Sequence, residues 1–235
     1  MLTMIKAFFL FPISFVLSVL AFVCIPFDKK GDFFRWCPWT WSKCILWTYG
    51  INVIVQGLEN IDRRQPYVFV SNHASMFDIP TVLVALNGNV NMVFKKELTR
   101  IPVWGWALRF GPFIMIDRSN PRDALASIER AAQTIRSGQS VILFPEGTRT
   151  YDGSLQPFKR GAFTLAAKSR VPVVPMTINY TYGIMPKGSF HVKKADISVV
   201  LEKPIPTIGL ETKTDEMELS EQVRKAIEKH YVNQS

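Results

Sequence analysis

The chain is poor in the residues that usually organise metal or redox chemistry. Its 235 residues hold three cysteines, Cys24, Cys37 and Cys44, and three histidines. The cysteines all fall in the first 50 positions, without a C-x-x-C pair and away from any histidine, which argues against a zinc site and against a disulfide framework. That usage reads as a chain of a reducing compartment. No G-x-S-x-G elbow, Walker A loop or G-x-G-x-x-G fingerprint is present, so an α/β-hydrolase serine enzyme, a P-loop enzyme and a dinucleotide enzyme are disfavoured. Runs of Lys or Arg never exceed two, although 28 basic residues against 19 acidic ones give a formal charge of +9. Nucleic-acid binders usually carry clustered basic arms, so nucleic acid is not an expected partner. What is abundant is apolar surface, 48% of the residues with six tryptophans. A basic and apolar chain suits a membrane surface, and its charge attracts anionic lipids, phosphorylated substrates or an acidic carrier protein.

Residues 7–27, AFFLFPISFVLSVLAFVCIPF, carry no charge, and their length is that of a bilayer's apolar layer, about 30 Å at 1.5 Å per helical residue. A cleaved signal peptide would show an A-x-A site, which is missing, and Pro12 and Pro26 leave room for a helix that dips into one leaflet. Residues 31–50, GDFFRWCPWTWSKCILWTYG, hold four tryptophans with Arg35 and Lys43, the composition of an interfacial helix, although a tryptophan-rich core helix has the same look. The expectation is a two-helix membrane anchor over residues 1–50, followed by a catalytic domain over 51–235.

Beyond residue 50 β-rich runs alternate with helical ones. INVIVQGLEN, QPYVFVSN, SVILF, VPVVPMTIN and ADISVVLEKPI read as strand-bearing runs. NPRDALASIERAAQTIRSG reads as a helix with Asn120 as cap, Pro121 at its first position and Gly138 as its stop. FKRGAFTLAAKS and ELSEQVRKAIEKHYV supply two more helices. This alternation predicts an α/β fold, a central mixed sheet of largely buried strands flanked by helices.

Candidate chemistry gathers where apolar strands stop. NHASMFD puts His73 just past a strand's carboxyl end, the edge where open α/β sheets place ligands. On one continuous helix His73 and Asp78 would point about 140° apart, so an Asp–His pair requires a turn between them. Such a pair is a general base, the carboxylate fixing the tautomer and stabilising the imidazolium; a turn or capping histidine is the simpler alternative. SVILFPEGTRT runs a buried strand into Glu146, Gly147, Thr148 and Arg149. That turn is either a phosphate cradle built on the guanidinium and a close-approach glycine, or an ordinary solvated turn. FGPFIMIDRSN offers Arg118 as a second phosphate ligand, and FKKELTRIPVWGWALR sets Lys95, Lys96, Arg100 and Arg109 among tryptophans. His191 and His230 read as structural or surface residues.

Taken in order, NHASMFD, GPFIMIDR, FPEGTRT and VPVVPMTI resemble the motifs of the glycerophospholipid acyltransferases, most closely the 1-acyl-sn-glycerol-3-phosphate acyltransferases. The resemblance covers residues 60–180 well and the C-terminal 50 loosely. It implies that His73 is the general base toward a free hydroxyl of lysophosphatidic acid, that Asp78 orients it, and that the hydroxyl attacks the thioester of acyl-CoA or acyl-carrier protein without an acyl-enzyme. Glu146, Gly147, Thr148 and Arg149 would hold the glycerol phosphate, with Arg118 and Lys95 assisting. No metal and no cofactor beyond the thioester co-substrate is implied. The lipid bilayer is an expected partner, at the cytoplasmic face of the inner membrane in a bacterium. Another acceptor such as glycerol 3-phosphate, a catalytically silent lipid-binding protein and a lipid hydrolase are the alternatives.

Overall fold

The computed structural model describes the chain except residues 1, 25–26, 29–30, 101–104, 107–108, 110–112, 117–120 and 234–235, and the elements below are those of the described residues. Arg118, and with it the GPFIMIDR expectation, falls outside them, as does the side chain of Lys95. Seven strands form one sheet: β1 (Val53–Gln56), β2 (Val68–Ser71), β3 (Asn91–Lys95), β4 (Ile114–Ile116), β5 (Val141–Leu143), β6 (Val173–Asn179) and β7 (Ile197–Leu201). Their spatial order is β1-β7-β6-β2-β5-β3-β4, and every pair is parallel except β6–β7. The helices are α1 (Leu2–Cys24), α2 (Asp32–Tyr49), α3 (Asp78–Ala85), α4 (Pro121–Arg136), α5 (Arg160–Ser169), the single turn α6 (Thr181–Ile184) and α7 (Lys213–Glu228). The expected central mixed sheet with flanking helices is thus what the chain forms.

The central strands are apolar on both faces, and the two-residue period sorts their side chains into two cores. Phe69 and Ile142 join Val82 and Leu83 of α3 and Leu46 of α2 in one. Val68, Val70, Val141 and Leu143 join Ala132 and Ile135 of α4, Phe163 of α5, and Val223 and Ile227 of α7 in the other. A one-residue slip of β2 would exchange its faces, each misplaced aliphatic side chain forgoing about 1.5–3 kcal/mol of burial. The register therefore fixes where β2 ends, and so where His73 begins its turn.

Past the last paired residue, Ser71, the ladder between β2 and β6 continues through a side chain. Asn72 is buried; its Nδ2 donates to Ile178 O (2.8 Å) and its Oδ1 accepts from Ile178 N–H (2.8 Å). The amide replaces one residue of backbone pairing and lets the chain leave the sheet at a defined point.

One expectation is corrected here. The last helix starts at Lys213, five residues before the expected Glu218, because Thr212 and Asp215 form a capping box: Thr212 Oγ1 accepts from Asp215 N–H (3.1 Å) and Asp215 Oδ2 accepts from Thr212 N–H (2.8 Å). Among the described residues no helix is long and apolar enough to cross a membrane. The helix α1, with Pro12 in its interior, folds back along α2. Trp41 Nε1 donates to Ser14 Oγ (2.8 Å), and the Lys6 ammonium lies 5.3 Å from the centre of the Tyr49 ring. The far end of α2 belongs to the main core, since Tyr49 meets Phe77 edge to face at 5.7 Å.

Replacing Asn72 by Ala leaves the N–H and C=O of Ile178 unpaired in the interior, which costs about 2–4 kcal/mol. Urea unfolding of Asn72→Ala measures it, and a loss below about 1 kcal/mol would show that the strand edge is satisfied some other way.

Candidate active site

Because β2, β5 and β6 run parallel, the segments that leave them emerge along one edge of the sheet: 72–78 after β2, 144–150 after β5 and 180–189 after β6. His73 and Asp78 do meet. The chain turns at 74–77, α3 starts at Asp78, and Asp78 Oδ2 lies 2.7 Å from His73 Nδ1. The same oxygen accepts the N–H groups of Ala74 (2.7 Å) and Ser75 (2.8 Å), so the carboxylate that holds the ring also holds the turn. Asp78 is fully buried, and its Oδ1 has no hydrogen-bond partner. With a carboxylate accepting at Nδ1, that nitrogen carries the proton and Nε2 is the basic one. The imidazole side chain is 15% exposed and stacks on Phe144, ring centres 4.2 Å apart, which limits its rotation to a narrow arc.

The Pro145–Thr150 turn is stitched to the same residue. Glu146 Oε1 accepts His73 N–H (2.6 Å), and Thr150 N–H donates to His73 O (2.9 Å), so both backbone groups of His73 end on the other loop. Glu146 Oε2 accepts Gln156 N–H (3.0 Å) and the side chain is 3% exposed. With each oxygen taken by a backbone donor, Glu146 sits as an internal brace, not on the ligand side where the sequence reading set it. Gly147 has φ +71°, a backbone conformation that favours glycine, and the Nζ of the flexible Lys159 side chain lies 2.9 Å from where a Cβ would stand. Thr148 is exposed and Arg149 half-buried at the surface of the turn.

Three residues that the sequence reading left out belong to this neighbourhood. Gln156 supplies the second donor to Glu146. Lys159 precedes α5 and lies over Gly147; FKRG carried a signal only as a helix start. Lys187 Nζ donates to Thr148 Oγ1 (2.9 Å) and Arg149 O (3.3 Å), and lies 3.5 Å from the Tyr151 ring centre. Lys187 comes from the loop after β6, 38 positions from Arg149, where no local pattern marks it. The other two histidines stand apart: His230 Nε2 pairs with Glu202 (2.6 Å), and the N–H of exposed His191 donates to Ser189 Oγ (3.0 Å).

Burial is the main reason the Glu146 carboxyl is pushed up to about 7; the His73 and Gln156 N–H groups oppose the rise, Asp78 adds to it and Arg224 reduces it. An unfolded glutamate loses its proton near 4.5. Between those values the folded chain holds the proton that the unfolded chain has released, so this group's contribution to stability falls as pH rises through the window. Activity runs the opposite way, because only the ionised carboxylate accepts both N–H groups. Urea unfolding from pH 5 to 7.5 will show this declining contribution, and Glu146→Gln will flatten it. The amide can satisfy only one of the two donors, so the same variant loses about tenfold in turnover through misplacement of His73. An unchanged slope and full turnover would remove Glu146 from the site.

Residues 52–179 match the family model described as Acyltransferase. The chain is 44% identical over 182 residues to a 1-acyl-sn-glycerol-3-phosphate acyltransferase of Brassica napus chloroplasts, covering 76% of this chain and 52% of that protein. It is 36% identical over 184 residues to the human 1-acyl-sn-glycerol-3-phosphate acyltransferase alpha, covering 78% and 65%. The chain thus spans about half to two thirds of the length of these relatives. The crystal structure of the 1-acyl-sn-glycerophosphate (LPA) acyltransferase PlsC from Thermotoga maritima shares the fold, with a TM-score of 0.79 over 97% of this chain and 95% of that one at 23% identity. The family model covers the sheet edge that carries the His73–Asp78 pair and the Glu146–Arg149 turn, and the chain belongs to the acyltransferase family.

Proposed function

We propose that this chain transfers an acyl group from a thioester, acyl-CoA or acyl-carrier protein, to the free sn-2 hydroxyl of lysophosphatidic acid, giving phosphatidic acid. The observation that carries the reading is the pairing of a carboxylate-held histidine with a cationic turn fixed to its own backbone. The 1-acyl-sn-glycerol-3-phosphate acyltransferases at 36–44% identity support the acceptor.

In this scheme His73 Nε2 removes the hydroxyl proton as the oxygen attacks the thioester carbonyl. The C–S bond breaks, and the thiolate leaves with the proton returned by the imidazolium. Asp78 stabilises that cation and sets its direction. A thioester is already activated, so placing the hydroxyl and assisting its deprotonation, worth roughly 10²–10⁴-fold, meets the demand. Arg149 and the backbone beside Gly147 hold the phosphate, with Thr148 at the rim; Lys95 and Arg118 keep their proposed auxiliary place. Glu146 acts through His73.

The lipid acceptor calls for a protein that works at the bilayer. The α1–α2 hairpin is suited to it, because Phe8, Phe11, Phe15, Val16 and Val23 of α1 and Trp36 and Trp47 of α2 are all exposed. An apolar face of that size on a helix pair ending beside Phe77 fits insertion into one leaflet, tryptophans at the headgroup level, rather than a crossing. The net charge of +9 favours the anionic leaflet.

Free CoA released from a long-chain acyl-CoA tests the reaction, with lysophosphatidic acid, glycerol 3-phosphate or no acceptor present. Release will require lysophosphatidic acid and fall by at least about 10²-fold in folded His73→Ala. Arg149→Ala will raise the acceptor KM by about tenfold or more. Release without any acceptor would mean a hydrolase, and none with any acyl-CoA or acyl-carrier protein would leave a lipid-binding protein. Flotation with vesicles containing anionic lipid will carry the protein upward, and Phe8→Ser with Phe11→Ser will reduce the floated fraction several-fold. Equal flotation of that variant would move the membrane contact elsewhere.

A further inference from the structure

The charges around the Gly147–Arg149 turn do not balance. Lys159 Nζ lies against Gly147, Lys187 Nζ is held on Thr148 Oγ1 and Arg149 O, and Arg149 belongs to the same turn. Among the described residues, none of these three cations forms an ion pair. Of the carboxylates in this region, Glu146 and Asp78 are buried and Asp152 is exposed. Glu146 is used by His73 N–H and Gln156 N–H, Asp78 by the His73 ring and two backbone donors, and Asp152 Oδ1 by Thr150 Oγ1 and by the N–H and Oγ of Ser154. Basic neighbours a little further away are neutralised in the ordinary manner, Arg160 by Glu216 (3.2 Å) and Arg224 by Glu228 (2.8 Å). Among the described residues, three cations without an ion-pair partner thus gather at the turn.

Lys187 is also tethered more firmly than a surface lysine. It is half-buried, all its partners are neutral, and the Tyr151 ring lies beneath the ammonium. Neutral partners fix its position without cancelling its charge. A cation prepared in this way is worth most against a ligand with two negative charges. A phosphate monoester carries between one and a half and two at pH 7, its second ionisation lying near 6, whereas a phosphate diester carries one.

We infer that Lys187 and Lys159 are specificity residues that read the second charge of the acceptor's phosphate, so that the site selects a phosphomonoester lysolipid over lysolipids whose phosphate is a diester. The inference rests on the acyltransferase reading and extends it to two lysines outside the motifs. Arg149 supplies the contact common to both lipid classes, and the two lysines supply the difference.

The test compares kcat/KM for lysophosphatidic acid with that for lysophosphatidylglycerol, a diester, in the full-length protein with acyl-CoA as donor. Dividing one by the other removes any effect on His73 or on the donor. At pH 7.5 the ratio will fall about tenfold in Lys159→Met/Lys187→Met and recover in Lys159→Arg/Lys187→Arg. In the wild type the ratio will decline as pH drops through about 6, following the monoester's second ionisation; in the Met variant that decline will be shallower. A ratio unmoved by the Met substitutions, in a protein whose thermal midpoint is also unmoved, overturns the assignment while leaving the acyltransferase reading intact. So does a loss confined to the donor, seen as a raised KM for acyl-CoA but not for acyl 3′-dephospho-CoA, which would give the lysines to the nucleotide phosphate. A wild type that acylates neither lipid overturns both readings together.

Discussion

The site depends on one residue. His73 gives its N–H to Glu146 and receives the N–H of Thr150 on its C=O, while its ring is held by Asp78. The first two contacts join the loop after β2 to the loop after β5; the third closes the loop after β2 upon itself. A histidine and a basic turn brought in from separate strands would ordinarily drift relative to each other with every loop motion. Here they share hydrogen bonds at adjacent atoms, so the distance from Nε2 to the turn is set by covalent geometry and two short contacts. Reactions governed by positioning need this, since a displacement of about 1 Å costs on the order of 10²-fold.

Two buried carboxylates close to one histidine would be costly if each were left to water's replacement by protein alone. The chain offsets the cost with backbone donors and the ring, three bonds converging on Asp78 Oδ2 and one on each oxygen of Glu146. Unequal distribution of those donors gives the groups different work. Asp78 concentrates its charge on the oxygen that faces the imidazole, whereas Glu146 spreads its charge over two backbone segments and is held near the point of protonation.

Much of this was legible in the order of residues, for identifiable reasons. Strands buried on both faces write continuous apolar runs, so β2, β5, β6 and β7 could be read, and the polar residues after β2 and β5 marked the ligand edge. The short β3 could not, because NVNMVFK offers neither a long apolar run nor clean alternation. The start of α7 was hidden because Thr212 and Asp215 declare a cap only when read as a pair. The place of Glu146 was misread for a different cause. A motif reports which residues gather at a site, not which side of the backbone each one faces, and burial turned Glu146 inward while leaving Arg149 at the surface. Lys187 had no local signal at all, since parallel topology alone brings its loop to the turn.

The hairpin and the sheet edge are parts of one device. Tyr49, at the end of α2, touches Phe77, and Phe77 directly precedes the Asp78 that holds the base. The apolar side chains that remain exposed on α1 and α2 thus sit on a hairpin in which the last turn of α2 is packed against the turn that precedes Asp78. A lipid acceptor has an apolar tail that stays in the bilayer and a charged head that must leave it. On the proposed reading, a hairpin seated in the membrane and joined to the His73 turn through this aromatic contact would fix how far the head has to rise. Loosening that contact would separate two requirements of the proposed reaction: contact with the lipid surface, and a hydroxyl delivered to His73 Nε2 while its phosphate rests on Arg149.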